Sequence, residues 1–277
     1  MRVDVDGPLS AEWMSGRRAL VTGGGGREGG PGTVGWAVSR LLARHGAAVA
    51  VLDRDPEAAA RTVSQIERAG GTAAAVIADV ADDEDCRRAV SEARELLGDV
   101  DTLVNNVAAW SPAELFDLEP GQFDELLTLN LKSAWQMTRH VVPVMPSGGA
   151  IVNITSVAAR RAGTMYGLAK AGLESMTGGA AYLLGERGLR INAVELGALW
   201  TAGVADSLPA EAREPRRKMS ALGTEGDCWD AAAAVLFLAS DQARWVSGQV
   251  LTVDGGGPPR TPYPGVTRAH ARAGAGS

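Results

Sequence analysis

The chain reads as one α/β domain, a doubly wound parallel sheet of about seven strands with helices on both faces. Three observations predict this. Short runs rich in Val, Ile and Ala alternate with longer amphipathic stretches along the chain. The runs are apolar almost throughout, as expected of strands buried on both faces. At 277 residues the chain is long enough for one large core.

The first strand is expected at Ala19–Thr22, followed by a glycine-rich turn over Gly23–Gly35 and a helix over Val34–Arg44. The second strand, Ala48–Leu52, ends at Asp53 and leads into a helix over Pro56–Ala69. The third, Ala73–Ala78, precedes Asp79-Val80 and a helix over Asp82–Leu97. Thr102–Asn105 is the fourth strand, and one long helix is expected over Pro120–Val144. Ala150–Thr155 is the fifth, with a helix over Met165–Glu186; Arg190–Val194 is the sixth. A helix over Cys228–Ala239 and a last strand at Gln249–Val253 complete the pattern. Strand alternating with helix predicts right-handed crossovers and a Rossmann-like topology, whose ligands lie beyond the carboxyl ends of the strands. The segment 198–227 follows such an end. It is long, contains Pro209 and Pro215, and is expected to be an irregular substrate lid. Residues 1–16 and the Gly-, Pro- and Ala-rich 258–277 are expected to be tails flanking a domain over 17–257.

Formal charge is −6 and the pI is near 5.2, so no net basic field favours nucleic acid. The tail carries Arg260, Arg268, His270 and Arg272 but reads as a flexible end. Cys86 and Cys228 form no disulfide framework or metal-ligand spacing, so no metal site is expected. No apolar run approaches the roughly 20 residues that span a bilayer, so no membrane association is expected. The opening residues are polar and acidic, without the apolar centre of a signal peptide. A cytoplasmic protein is expected.

The glycines of the turn allow a backbone to approach a pyrophosphate, beside a helix N-terminus whose N–H groups and dipole favour anions. Asp53 stands where a carboxylate can accept hydrogen bonds from both ribose hydroxyls of an adenosine and repel a 2′-phosphate, which argues for NAD. Arg54 beside it, with Arg27 in the turn, can hold a 2′-phosphate and keeps NADP open. Tyr166 and Lys170 lie four apart, on one helix face. A protonated lysine there lowers the phenol's pKa from about 10, so that the tyrosine can exchange a proton with an alcohol or ketone.

Taken together, these motifs resemble the short-chain dehydrogenase/reductase family over about Arg17 to Gly257. The resemblance places the glycine motif at Thr22, Gly23 and Gly35, with Gly32 or Thr33 near the middle glycine and Val34 beside them. The stretch between Gly23 and Gly35 is about six residues longer than usual, as in the enoyl-acyl-carrier reductase branch. Asp79 and Val80 are implied at the adenine, and Asn105, Asn106, Val107 and Ala108 look like the Asn-Asn-Ala-Gly after the fourth strand. The resemblance implies Tyr166 as general acid or base and Lys170 as the group that lowers its pKa and holds the nicotinamide ribose. It implies Ser156 as the partner of the substrate oxygen, and Asn130 as the holder of a water that relays protons to Lys170. Ser156 precedes Tyr166 by about three residues fewer than usual, and Thr155 is a competing hydroxyl. Asn192–Gly197 resembles Asn-x-Val-x-Pro-Gly with Leu196 in the proline position; Gly197, Leu199 and Thr201 are implied at the carboxamide.

Trp110, Val157, Leu196 and Trp200 are expected near the substrate, with few charges, which favours an apolar or aromatic carbonyl or secondary alcohol. Arg160 and Arg161 are candidates for meeting a carboxylate or a carrier phosphate. The expected activity is interconversion of a secondary alcohol and a ketone with NAD. Two alternatives remain: an NADPH-linked 3-oxoacyl reductase, and a dinucleotide-binding protein without catalysis. A homotetramer is implied by the family's habit of pairing its fourth and fifth helices between subunits.

Overall fold

A computed structural model describes residues 12–257 apart from 112, 114 and 162, so the expected C-terminal tail lies outside the described residues. Seven strands form one parallel sheet: β1 (Arg18–Thr22), β2 (Ala48–Asp53), β3 (Thr72–Ile77), β4 (Thr102–Asn105), β5 (Ala150–Ser156), β6 (Arg190–Leu196) and β7 (Val250–Val253). Their spatial order is β3-β2-β1-β4-β5-β6-β7. The order reverses between β1 and β4, which opens a crevice at the carboxyl ends of those strands.

The helices are α1 (Val34–Arg44), α2 (Pro56–Arg68), α3 (Asp83–Leu97), α4 (Pro120–Leu127), α5 (Ser133–Val141), α6 (Ala158–Arg161), α7 (Met165–Gly185), α8 (Ala202–Ser207), α9 (Arg213–Arg217) and α10 (Cys228–Ala239). Several starts are written locally. Asp55 accepts from the N–H of Glu57 and Ala58, with Pro56 at the first helical position, and Asp82 and Asp227 cap α3 and α10.

The two faces of the sheet carry separate cores. Val21, Val51 and Val194 pack with Leu41 of α1 and Val235 of α10 on one side. On the other, Leu20, Leu103 and Ile151 pack with Val90 of α3, Met137 of α5 and Leu184 of α7. Strands β1, β4, β5 and β6 are almost wholly buried, as expected. β3 and β7 are not, because they are the sheet edges.

Three expectations change. The helix expected over Pro120–Val144 is broken: a π-helical turn over Thr128–Lys132 separates α4 from α5. The lid is not irregular; it contains α8, a 3₁₀ turn at Ala210–Ala212, and α9. A parallel bridge between Leu199 and Gly226 pins its two ends together. Met14, inside the segment expected as a tail, is fully buried, and its N–H donates to His45 O at 2.9 Å. Among the described residues no helix is long and apolar enough to cross a membrane.

Candidate active site

A cleft of about 970 Å³ runs along the carboxyl ends of the strands. At one end Gly23, Thr33 and Val34 line it. Thr33 caps α1, accepting from the Trp36 N–H, and its own hydroxyl donates to Gly25 O at 3.0 Å. Gly23 has φ +61°, a conformation that favours glycine. Gly25 also lines the cleft, and a Cβ there would lie 2.6 Å from Asp53 Oδ2. Gly35 lies outside the cleft: a Cβ there would collide with Gly23 O, so its glycine lets α1 approach the β1 turn. Gly32 is also outside it; its carbonyl accepts from the Ala202 N–H of the lid at 3.1 Å.

Asp53 lines the same end. Its Oδ2 accepts from Gly25 N–H at 2.9 Å and its Oδ1 from Asp55 N–H at 3.1 Å. Arg54, Asp79 and Val80 line this end too, with Arg61, which the sequence did not single out. Arg61 Nε donates to Gly26 O at 3.1 Å. Arg27 forms an ion pair with Asp206 of α8, so the long glycine loop reaches the lid. Both side chains of that pair are more than half exposed, and Arg27 also lines the cleft, as the sequence leads one to expect.

At the middle, Asn106 and Val107 line the cleft. Asn106 Nδ2 donates to Thr22 O and Gly23 O at 3.0 and 3.1 Å, tying the end of β4 to the glycine turn. Asn105 is buried away from the cleft and donates to Asn153 Oδ1 at 2.9 Å, while Asn153 donates to Thr177 Oγ1 at 2.9 Å. It therefore joins β4, β5 and α7 within the scaffold.

At the far end β5 delivers Ser156 and α7 delivers Tyr166 and Lys170, all lining the cleft. Tyr166 and Ser156 share a hydrogen bond, and Ser156 Oγ accepts from Ala158 N–H at 3.2 Å. Lys170 is 1% exposed; its Nζ donates to Ile154 O at 2.9 Å and lies 5.7 Å from the centre of the Tyr166 ring. Burial raises the Tyr166 pKa, with the Ser156 hydrogen bond opposing it, and burial pulls Lys170 down to about 8. The expected lowering of the phenol by its lysine is therefore not found: burial and the Ser156 hydrogen bond are the influences on Tyr166, and burial is the larger. Lys170 is buried and Tyr166 half-buried, and loss of water disfavours the charged form of each. Thr155, the competing hydroxyl, instead donates to Glu174 Oε1 at 3.1 Å.

Asn130 sits in the π-helical turn, 1% exposed and outside the cleft wall. Its Nδ2 donates to Ala109 O at 2.8 Å and Leu126 O at 2.9 Å, and its Oδ1 accepts from Ala109 N–H at 3.1 Å. Its side chain thereby fixes the loop that carries Ala109 and Trp110 into the cleft.

Leu196 at the end of β6 and Gly197, Leu199 and Thr201 beyond it line the cleft. Trp110 lines the opening, 56% exposed. Val157 and Trp200 do not line it; the Trp200 ring lies 4.8 Å beneath the Arg213 guanidinium. Arg160 does not meet the cleft either: its Nε pairs with Glu195 at 2.9 Å and Glu174 at 3.7 Å. Arg216 of the lid lines the cleft and was not singled out by sequence. Among the described residues no group of three or more His, Cys, Asp or Glu side chains could hold a metal ion.

A glycine cradle, a helix N-terminus and a cleft-facing acid at one end fit a dinucleotide, with a Ser–Tyr–Lys group at the other. The family model of enoyl-(acyl carrier protein) reductase matches residues 31–257. The 7alpha-hydroxysteroid dehydrogenase of Escherichia coli K12 is 33% identical over 249 residues, covering 88% of this chain and 95% of that protein. A solved 7alpha-hydroxysteroid dehydrogenase complexed with NADH and 7-oxo glycochenodeoxycholic acid is 32% identical. It has a TM-score of 0.82 and covers 92% of this chain and 98% of its own. A short-chain dehydrogenase of Burkholderia cenocepacia in complex with NADP is 33% identical, with a TM-score of 0.79, covering 88% and 98%. This chain therefore belongs to the short-chain dehydrogenase/reductase family, whose members here bind NAD(H) or NADP.

Proposed function

We propose that this protein interconverts a secondary alcohol and a ketone, with Tyr166 exchanging the proton and NAD as the favoured dinucleotide. The observation that carries the reading is the meeting of Ser156, Tyr166 and Lys170 in the cleft that also holds Asp53 and the glycine turn. A bound nicotinamide would supply the hydride acceptor for the alcohol carbon, and in its reduced form the hydride donor for the ketone. Ser156, already hydrogen-bonded to Tyr166, orients the substrate oxygen against the phenol. Tyr166 takes the hydroxyl proton in oxidation and gives it back in reduction. The half-buried phenol, whose pKa desolvation raises, is in the protonated form that donates to a ketone. Lys170, anchored on Ile154 O, keeps an ammonium beside the ring and is the group we assign to the nicotinamide ribose.

Asp53 supports NAD over NADP, because its carboxylate is held at the cleft by backbone N–H groups and has no ion-pair partner among the described residues. Ala109, Trp110, Leu196, Val204 and Leu208 line the cleft with Arg216 as the lid's one cation among them, which supports a mainly apolar or aromatic substrate.

The test is Tyr166→Phe. Loss of the proton-transfer group lowers kcat by about 10²–10⁴-fold, with NADH affinity within twofold of wild type. Unchanged turnover contradicts the assignment. We further infer a homotetramer, since α7 presents Tyr182 and Leu183 and α5 presents Trp135 to solvent. Light scattering at micromolar concentration gives four chains per particle; a monomer contradicts it.

A further inference from the structure

The lid segment 213–218 holds four cations, and three of them have carboxylate partners. Arg213 pairs with Glu225, and Arg217 and Lys218 pair with Glu214. Arg216 has no ion pair among the described residues, although it lines the cleft. Its Nη2 donates to Leu199 O at 3.2 Å, and its Nε is buried with no hydrogen-bond partner. A guanidinium carries five N–H donors in a planar fork, and removing such a group from water without a counter-ion is costly. Glu225, the nearest acid acting on it, is already held by Arg213, whose Nε donates to Glu225 Oε1 at 3.1 Å. Leu199, Val204 and Leu208 line the same cleft, together with the hydroxyls of Thr201 and Ser207.

Building on the reading above, we propose that Arg216 is the receptor for a carboxylate on the substrate. The substrate class is then an apolar hydroxy acid or keto acid. The carboxylate docks on the lid fork while the secondary alcohol or ketone meets Ser156 and Tyr166. The diphosphate of the dinucleotide is the other anion within the cleft. It has its own cradle at the glycine turn and the N-terminus of α1, whereas Arg216 hangs from Leu199. That residue lies three positions beyond Leu196, which pairs in register with Ser156.

The experiment is calorimetric titration of octanoate and, separately, octanamide into the full-length protein saturated with NADH. This readout requires no turnover, so it is independent of the Tyr166 test. Octanoate is expected to bind at least ~10-fold more tightly than octanamide, since charge-assisted bidentate pairing is available only to the acid. Arg216→Met abolishes that ratio, and Arg216→Lys restores part of it while leaving NADH affinity unchanged. Equal binding of acid and amide by wild type, or an acid preference that survives in Arg216→Met, overturns the proposal. Tenfold weaker NADH binding in Arg216→Met with the acid-to-amide ratio intact assigns the residue to the diphosphate, and also overturns it. A protein that binds no NADH defeats the dinucleotide reading and this proposal together, a result distinct from NADH binding without acid preference.

Discussion

Two strands of the sheet carry an acid at or beside their carboxyl ends, and the two acids have opposite fates. Asp53 closes β2, half-buried, held by the N–H groups of Gly25 and Asp55, and faces the cleft. Glu195, one residue from the end of β6, is 1% exposed and is enclosed by Arg160 at 2.9 Å and the Thr252 hydroxyl at 2.6 Å. Backbone donors fix the first carboxylate at the cleft, with no ion-pair partner among the described residues. A cation and a hydroxyl neutralise and cover the second. The resulting cluster of Arg160, Glu195 and Glu174 ties α6, β6 and α7 together behind Ser156 and Lys170. Position at a strand end therefore does not make an acid a ligand group; its partners decide.

The largest effect that separates the two ends is on stability. Glu195→Ala removes a buried carboxylate, strips the Thr252 hydroxyl of its acceptor and leaves Arg160 with only the more distant Glu174. The cost is about 3 kcal/mol, the low end for a buried pair, because Arg160 is itself solvent-accessible. Asp53→Asn keeps an acceptor for Gly25 N–H and costs under about 1 kcal/mol. Urea denaturation of both variants checks this. Equal losses would erase the distinction between a structural acid and a ligand-facing one.

A second, smaller effect tests the dry character of the catalytic end. Lys170 titrates near 8 in the folded protein against an ordinary value of 10.5. The unfolded chain therefore binds more protons between those values, and stability from this group rises with pH across that window. The penalty is complete below pH 8 and gone above 10.5. Relative to Lys170→Met, wild type should gain on the order of 2–3 kcal/mol from pH 7.5 to 10.5, read by paired denaturation curves. A constant difference would mean that the ammonium is solvated.

Much of this architecture was legible because its signals are local. The bounds of α1 and α10 coincide with the expected ones, since each begins at a side-chain cap, Thr33 or Asp227. The cofactor-end residues Gly23, Thr33, Val34, Asp53, Asp79 and Val80 and the far-end Ser156, Tyr166 and Lys170 all line one cleft, because strand ends converge in a parallel sheet. What sequence missed depends on tertiary partners. No glycine or proline within 122–142 marks the break in the long helix, and the π-helical turn there is accompanied by Asn130 bonding to Ala109 and Leu126. The lid helices are short, and hydrogen bonds from Ala202 to Gly32 and from Ser220 to Gly255 hold them in place. Arg216 is one of three arginines between 213 and 217, and nothing in that run distinguishes it. Only the pairing of its neighbours does.

The measurement that bears most directly on the contrast between the two acids is a fluorescence titration of the wild-type protein and Asp53→Asn with NADH and NADPH. A free, ribose-facing Asp53 predicts NADH binding at least ~10-fold more tightly than NADPH, with the ratio falling towards one in the variant, because a carboxylate accepts both ribose hydroxyls and repels a 2′-phosphate. Tighter binding of NADPH by the wild type, or a ratio unmoved by the substitution, would contradict the account and give control of that end of the cleft to Arg54 and Arg61.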